Sequence, residues 1–276
     1  MEKIMQIEKL NIFPQDPNAN LVAYVSYNSK ELNRSPRPAM IVCPGGGYGF
    51  LSDRESEPIA LAFLAQGFAP FVLNYSVREM AADYNPVCEA ALAIKHVREN
   101  AEKYNVDAQK VFIVGFSAGG HVAASAGTLW SCDRVRAALG EDAPEGIGRP
   151  DGMILAYPVI SAFDHPHDDS FFRLCGTNEP TDAQKMEFSL EHHVDGSTAP
   201  AFIWHTFEDT LVPVYNSLCF AKAMKDKGVH FEMHIYPYGP HGLALANKET
   251  WSGWENMIQD PVVEWVSLAA RWARSI

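Results

Sequence analysis

The chain has 276 residues, 47% of them hydrophobic and 20% charged, which supports one large buried core and excludes fibrous and disordered classes. Its formal net charge of -12, with no basic run, excludes nucleic acid as an expected partner, because such binding draws its affinity from Lys and Arg neutralising phosphates. Five cysteines (Cys43, Cys88, Cys132, Cys175 and Cys219) lie far apart with no CxxC pair, a pattern of free thiols in a reducing compartment.

The N-terminal Met1-Glu2-Lys3-Ile4-Met5-Gln6-Ile7-Glu8 interrupts its apolar residues with charges, so no secretory h-region is expected there. No later run reaches the roughly 18 apolar residues of a membrane span. The expectation is a cytoplasmic protein without a membrane partner. An antiparallel pair is expected from Met5 to Phe13 and from Leu21 to Tyr27, split by the turn residues Pro14 to Asn18. Ala39 to Cys43 is a continuous apolar run of the kind buried on both faces of a sheet, and it ends in Pro44-Gly45-Gly46-Gly47-Tyr48-Gly49. Ser56 to Gln66 has helical spacing with Gly67 as a stop, and Phe68 to Tyr75 reads as another buried strand. Val87, Ala90, Ala91, Ile94, Val97 and Ala101 recur at three and four residues, predicting a long helix from Asn85 to Tyr104.

Lys110 to Gly115 is the clearest buried strand, and a helix of small residues follows Ser117. Further strands are expected at Gly152 to Tyr157, Ala201 to Thr206 and Val229 to Tyr236, with helices from Val214 to Lys227 and from Pro261 to Arg274. Strands alternating with helices place the chain in the α/β class, with an eight-stranded, mostly parallel sheet covered on both faces. No linker or repeat divides it, so residues 1–276 are expected to form one domain. Residues 158–200 break the rhythm and read as a cap-like insertion.

Chemistry concentrates at Gly115-Phe116-Ser117-Ala118-Gly119. A Gly-x-Ser-x-Gly match between a buried strand and a helix is the context of a nucleophile elbow, where small neighbours let the chain turn sharply and lift the serine hydroxyl above the sheet. Serine needs a base to take its proton and a carboxylate to orient that base. In this arrangement they follow in the order Ser, acid, His, each after a strand. Asp209 follows the strand ending at Thr206, while Asp195 precedes that strand and Glu208 reads as a solvated loop residue. Among ten histidines, only His241 sits in a Gly/Pro-bounded loop after the last strand. His96, His121, His205, His230 and His234 suit core or face roles, and the rest belong to the insertion. The glycine run offers backbone N–H groups for an oxyanion, completed by that of Ala118. It lacks the Gly-Lys-Ser/Thr ending of a phosphate-binding P-loop.

These stretches, with Trp204-His205-Thr206-Phe207-Glu208-Asp209 and Val212-Pro213, and with Tyr236-Pro237-Tyr238-Gly239-Pro240-His241-Gly242, resemble α/β-hydrolases of the esterase/lipase kind. The likeness covers almost the whole chain and is closest to bacterial carbohydrate esterases labelled acetyl esterase, xylanase-like or sugar hydrolase. Pro44 stands where many members have His, which leaves the backbone donors intact. The resemblance implies catalytic Ser117, Asp209 and His241, oxyanion donors Gly46, Gly47 and Ala118, and a short-acyl ester of a sugar or oligosaccharide as substrate. No cofactor is implied, and a homo-oligomer is compatible with the reading. A glycoside-acting hydrolase would need a flanking carboxylate pair, which these motifs do not nominate. Oligopeptidases share the fold but usually bring a propeller domain.

Tyr48 and Phe116, beside the motifs, are the expected substrate-binding aromatics. The dense run Asp164-His165-Pro166-His167-Asp168-Asp169 lacks a helical His pair or a companion cluster and reads as a polar cap loop with no metal.

Overall fold

The computed structural model describes residues 4–32 and 34–276. Met1, Glu2 and Lys3 of the N-terminal stretch lie outside them. Eight strands form one sheet: β1 (Gln6–Leu10), β2 (Asn20–Val25), β3 (Arg37–Cys43), β4 (Ala69–Asn74), β5 (Val106–Phe116), β6 (Gly152–Ala156), β7 (Ala201–Thr206) and β8 (Phe231–Tyr236). Their order across it is β1-β2-β4-β3-β5-β6-β7-β8. The β1–β2 and β2–β4 pairs are antiparallel and the rest parallel.

The central strands are apolar throughout because helices cover both sheet faces, and residue parity decides which face each side chain enters. Ile41, Val111, Ile113, Leu155 and Ile203 enter one core, closed by α2 (Asn85–Glu99), α4 (Ala118–Thr128) and α8 (Tyr215–Asp226). Their neighbours Met40, Phe112, Val114, Ile154 and Trp204 enter the other, closed by α1 (Glu57–Ala65) and α10 (Trp265–Ser275).

The expected Asn85–Tyr104 helix is divided. Asn100 leaves the helical conformation at φ -110° and its side chain donates to the His96 carbonyl at 2.8 Å, separating α2 from α3 (Ala101–Tyr104). Asparagine competes for backbone partners in this way. The C-terminal helix is likewise split, α9 (Asp260–Val263) preceding α10. β5 begins at Val106, earlier than its apolar run, because the polar Asp107 and Gln109 hide its start. Residues 158–200 contain α6 (Asp168–Cys175) and α7 (Asp182–Phe188), and α5 (Asp133–Leu139) is a further helix outside the expected set. These three are too short to impose a periodic pattern. α7 is instead marked by a reciprocal cap, in which Gln184 N–H donates to Thr181 Oγ1 and Thr181 N–H to Gln184 Oε1.

Candidate active site

Ser117 is the junction residue between β5 and α4, held at φ 55° and ψ -118°, a conformation that costs a non-glycine residue roughly 1–3 kcal/mol. The crossing is possible because its neighbours lack side chains. A Cβ on Gly115 would lie 1.9 Å from the Gly119 carbonyl oxygen, and one on Gly119 would lie 2.1 Å from that of Cys43. Ser117 N–H donates to Ala156 O at 3.0 Å, and its own carbonyl accepts from His121 and Val159, so both sides of the turn are anchored.

His241 and Asp209 arrive from the loops after β8 and β7. His241 Nδ1 lies 2.6 Å from Asp209 Oδ2, and Nε2 lies 2.8 Å from Ser117 Oγ. The carboxylate only accepts, so Nδ1 carries the proton and Nε2 is free to accept from the serine hydroxyl. Asp209 is buried, and Leu211 and Val212 N–H donate to its Oδ1 at 3.0 and 2.9 Å. Burial pushes its carboxyl pKa up, but the hydrogen bonds from His205 and His241 and their charge outweigh it and hold the group well below the usual carboxylate range.

His205, expected in the core, is there, and it also orders the acid. Its Nε2–H faces Asp209 Oδ2 at 3.2 Å and Val212 O at 2.8 Å, while Ser217 Oγ stands 2.8 Å from its Nδ1. Glu208 is exposed as expected of a loop residue, yet its Oε2 accepts from Gly239 N–H at 3.1 Å and so ties down the His241 loop. The Glu208 bond joins segments distant in the chain, and the His205 bonds, though they stay within 12 residues, depend on how the loop after β7 folds back, so neither role is visible in local pattern.

The glycine loop follows β3. Gly46 and Gly47 have φ of 130° and 58°, and a Cβ on Gly46 would meet the Phe50 carbonyl oxygen at 2.1 Å. Among the described residues their N–H groups have no intramolecular acceptor, as befits donors for a developing oxyanion. The loop is anchored by Glu55, a residue absent from the sequence reading. This buried carboxylate accepts from Gly45 N–H at 2.9 Å and from the Tyr157 hydroxyl at 2.7 Å, and the Tyr157 oxygen accepts from Ala244 N–H at 2.9 Å. One carboxylate therefore links the glycine loop, through Tyr157, to the segment just after His241. Arg54 adds a donation to Gly242 O at 2.8 Å.

Two expectations are corrected. Tyr48 and Phe116 are fully buried, and neither lines the cavity over Ser117. The positive φ of Tyr48, 58°, turns its ring into the core, where its hydroxyl meets His121 Nδ1 at 2.8 Å. His121 Nε2 donates to the Phe188 carbonyl at 2.8 Å, fixing the tautomer and joining α4 to α7. Phe116 precedes Ser117 on the strand and falls on the opposite core, packed edge-on against Trp265 with ring centroids 5.8 Å apart.

The cavity over Ser117 measures about 400 Å³, and its walls include Gly46, Gly47, Leu211, His241 and His167 of the insertion. The acidic and histidine-rich run disperses. His165 pairs with Asp164 at 2.7 Å and stacks on Tyr215, whereas His167 faces the cavity. Among the described residues no helix is long and apolar enough to cross a membrane. All five cysteines are free thiols.

Residues 26–151 match the BD-FAE family model and residues 155–258 match the Prolyl oligopeptidase family. The chain is 41% identical over 241 residues to Endo-1,4-beta-xylanase B of Butyrivibrio fibrisolvens, covering 85% of this chain and 36% of that protein. It is 30% identical over 233 residues to an Acetylxylan esterase of Xylanibacter ruminicola, covering 83% of this chain and 45% of that protein. The chain thus spans less than half the length of either. Two solved structures are similar over nearly their full length. One is MGS-M1, an alpha/beta hydrolase enzyme from a deep-sea metagenome library, with 35% identity, TM-score 0.81 and coverage of 99% and 98%. The other is an acetyl ester-xyloside bifunctional hydrolase of Caldicellulosiruptor lactoaceticus, with 34% identity, TM-score 0.82 and coverage of 100% and 98%.

Proposed function

The chain belongs to the α/β-hydrolase family, and from that premise we propose that it is a serine ester hydrolase acting on short-acyl esters of sugars or oligosaccharides. The observation that carries this reading is the continuous relay of Ser117 Oγ, His241 and Asp209 at 2.8 and 2.6 Å beside a loop of unengaged backbone donors.

In this mechanism His241 Nε2 takes the Ser117 proton as Oγ attacks the ester carbonyl, and Asp209 stabilises the imidazolium formed. The negative oxygen of the tetrahedral intermediate is received by the N–H groups of Gly46, Gly47 and Ala118. Each such donor is worth about 3 kcal/mol in the transition state. Collapse breaks the bond to the alcohol oxygen, which takes the proton from His241 and leaves an acyl-Ser117 ester. Water then enters, gives a proton to His241 and attacks the acyl carbon. Release of the carboxylic acid returns the proton to Ser117.

The sugar ester as substrate is supported by the acetylxylan esterase and the acetyl ester-xyloside hydrolase among the relatives. A fluorophosphonate probe and acetate release from acetylated xylo-oligosaccharides test the reading together. Covalent labelling and turnover are expected in the wild type and absent in a folded Ser117→Ala variant. A wild type that stays unlabelled while folded would sink the nucleophile assignment.

A peptidase is the second reading, favoured by the Prolyl oligopeptidase match over residues 155–258. Faster cleavage of an aminoacyl nitroanilide than of p-nitrophenyl acetate would favour it. A xyloside hydrolase is separated by its independence of Ser117, since Glu55, the buried acid beside the cavity, is engaged by Gly45 and Tyr157.

A further inference from the structure

Residues 158–200 line the cavity with His167, Asp169 and Arg173, and the reaction outlined above gives the His167 imidazole no task. His167 stands immediately before α6 and is partly buried, lining the same cavity as Ser117 and His241. Its Cε1 lies 3.3 Å from where a Cβ on Gly47 would project, so the ring packs on the glycine loop, and a side chain at position 47 would displace it. α6 is fastened to that loop, for Arg173 Nη1 donates to the Gly47 carbonyl at 3.1 Å and to the Asp169 carbonyl at 2.9 Å.

The ring's tautomer follows from its neighbour. His167 Nδ1 lies 2.9 Å from Ser170 Oγ. Ser170 is fully buried, and its hydroxyl has no other side-chain or backbone partner among the described residues. A buried hydroxyl proton needs an acceptor, and Nδ1 is the one within reach, so Ser170 donates to it and the ring proton sits on Nε2. That Nε2–H has no acceptor within the protein among the described residues. Burial, then the charge of His241, hold the imidazole below its ordinary pKa, so at neutral pH it presents an uncharged donor.

The oxyanion is already provided with backbone donors at Gly46, Gly47 and Ala118. A further donor, set on the side of Gly47 where a Cβ would project, addresses a different oxygen. We propose that His167 is a specificity-determining residue whose Nε2–H binds an oxygen on the alcohol part of the ester, the hydroxyl adjacent to the esterified carbon. The preferred substrates are then monoacylated vicinal diols, the arrangement found in partly acylated sugars, over esters of simple alcohols. This inference rests on the ester-hydrolase reading.

The test compares acetate release from trans-2-hydroxycyclohexyl acetate and from cyclohexyl acetate, which differ by that one hydroxyl. A neutral hydrogen bond of ordinary strength predicts a wild-type preference in kcat/KM of about 3- to 10-fold for the hydroxylated ester, expressed mainly in KM. His167→Ala should bring the ratio to about 1, and His167→Gln, which keeps an N–H donor, should restore part of it. Ser170→Ala leaves the imidazole in place but releases its tautomer, and it should lower the ratio without removing a ring from the cavity.

A ratio that ignores His167 in an active enzyme overturns the assignment. So does an equal loss on both esters, which would make the residue a support for α6 or the glycine loop. Absence of turnover of both esters by the wild type overturns the ester-hydrolase reading and this inference together.

Discussion

Glu55→Gln is the most informative perturbation, because one buried carboxylate oxygen holds the glycine loop and the other holds Tyr157. In the wild type Oε2 accepts from Gly45 N–H at 2.9 Å and Oε1 from the Tyr157 hydroxyl at 2.7 Å. The Tyr157 pKa is raised far above its ordinary value, first by burial and then by the Glu55 charge, so it stays a neutral donor. A glutamine has only one acceptor oxygen, so its amide must face either the Gly45 N–H or the Tyr157 oxygen, and one buried proton loses its acceptor. Such a loss costs about 1–3 kcal/mol, a drop in Tm on the order of 5 °C for a domain of this size. The glycine loop is then free to drift. Misalignment of one oxyanion donor lowers kcat by up to about 100-fold, with a smaller change in KM. Thermal unfolding and p-nitrophenyl acetate kinetics measure both quantities. A Glu55→Gln protein with Tm within about 1 °C and kcat within about two-fold of wild type, the range of an ordinary surface substitution, would refute the anchoring role.

Other outcomes follow from the same packing. His121 is fully buried and its pKa is lowered to about 4, by burial first, against 6.5 when free. The folded state therefore favours the neutral ring, and the stability it contributes is present above pH 6.5 and lost as pH falls towards 4, by about 3 kcal/mol. Urea midpoints measured across that window should fall, and His121→Asn should flatten the slope. Glu89 has the opposite sign. Burial raises its pKa to about 7 from 4.5, so its contribution is present below pH 4.5 and lost as pH rises through 7, and Glu89→Gln should remove that part of the slope in the same titration. Gly119→Ala forces a Cβ to within 2.1 Å of the Cys43 carbonyl oxygen and should destabilise by more than about 3 kcal/mol, whereas Gly196→Ala, with open space around it, should stay within about 1 kcal/mol in denaturant melts. His205→Gln should lower kcat by about 10-fold while retaining fluorophosphonate labelling, because Asp209 loses one of its two imidazole donors.

What local pattern conveys well here is the order of elements. Apolar runs such as Ile41-Val42-Cys43 and Phe112-Ile113-Val114 must be buried on both sides, so the strands and their two cores are legible from residue type alone. The Gly-x-Ser-x-Gly turn at Ser117 is also legible from local pattern. Gly115 is required by a contact under 3 Å with Gly119 inside the crossing, whereas Gly119 is required by the distant backbone of Cys43 and Pro44, and His241 is singled out by the glycine and proline around it.

The destinations of individual side chains were less legible. Adjacency to Ser117 or to the glycine loop suggested that Phe116 and Tyr48 face the substrate, yet strand parity and a positive φ send both into opposite cores. The short helices of residues 158–200 left too little periodicity to read, and the polar start of β5 concealed its first four residues, Val106 to Gln109.

By itself, then, the sequence determined the alternation of strands and helices, the sharp turn at Ser117 and the chain order of Ser117, Asp209 and His241. These depend on burial and on steric limits acting within a few residues. Only the tertiary structure decided that Glu55 anchors the glycine loop, that His205 shares Asp209 with His241, and that His167 reaches the cavity from residues 158–200. Each of those depends on a hydrogen bond or a wall contact between segments far apart in the chain, and side-chain identity does not specify its partner until the backbone brings the two together.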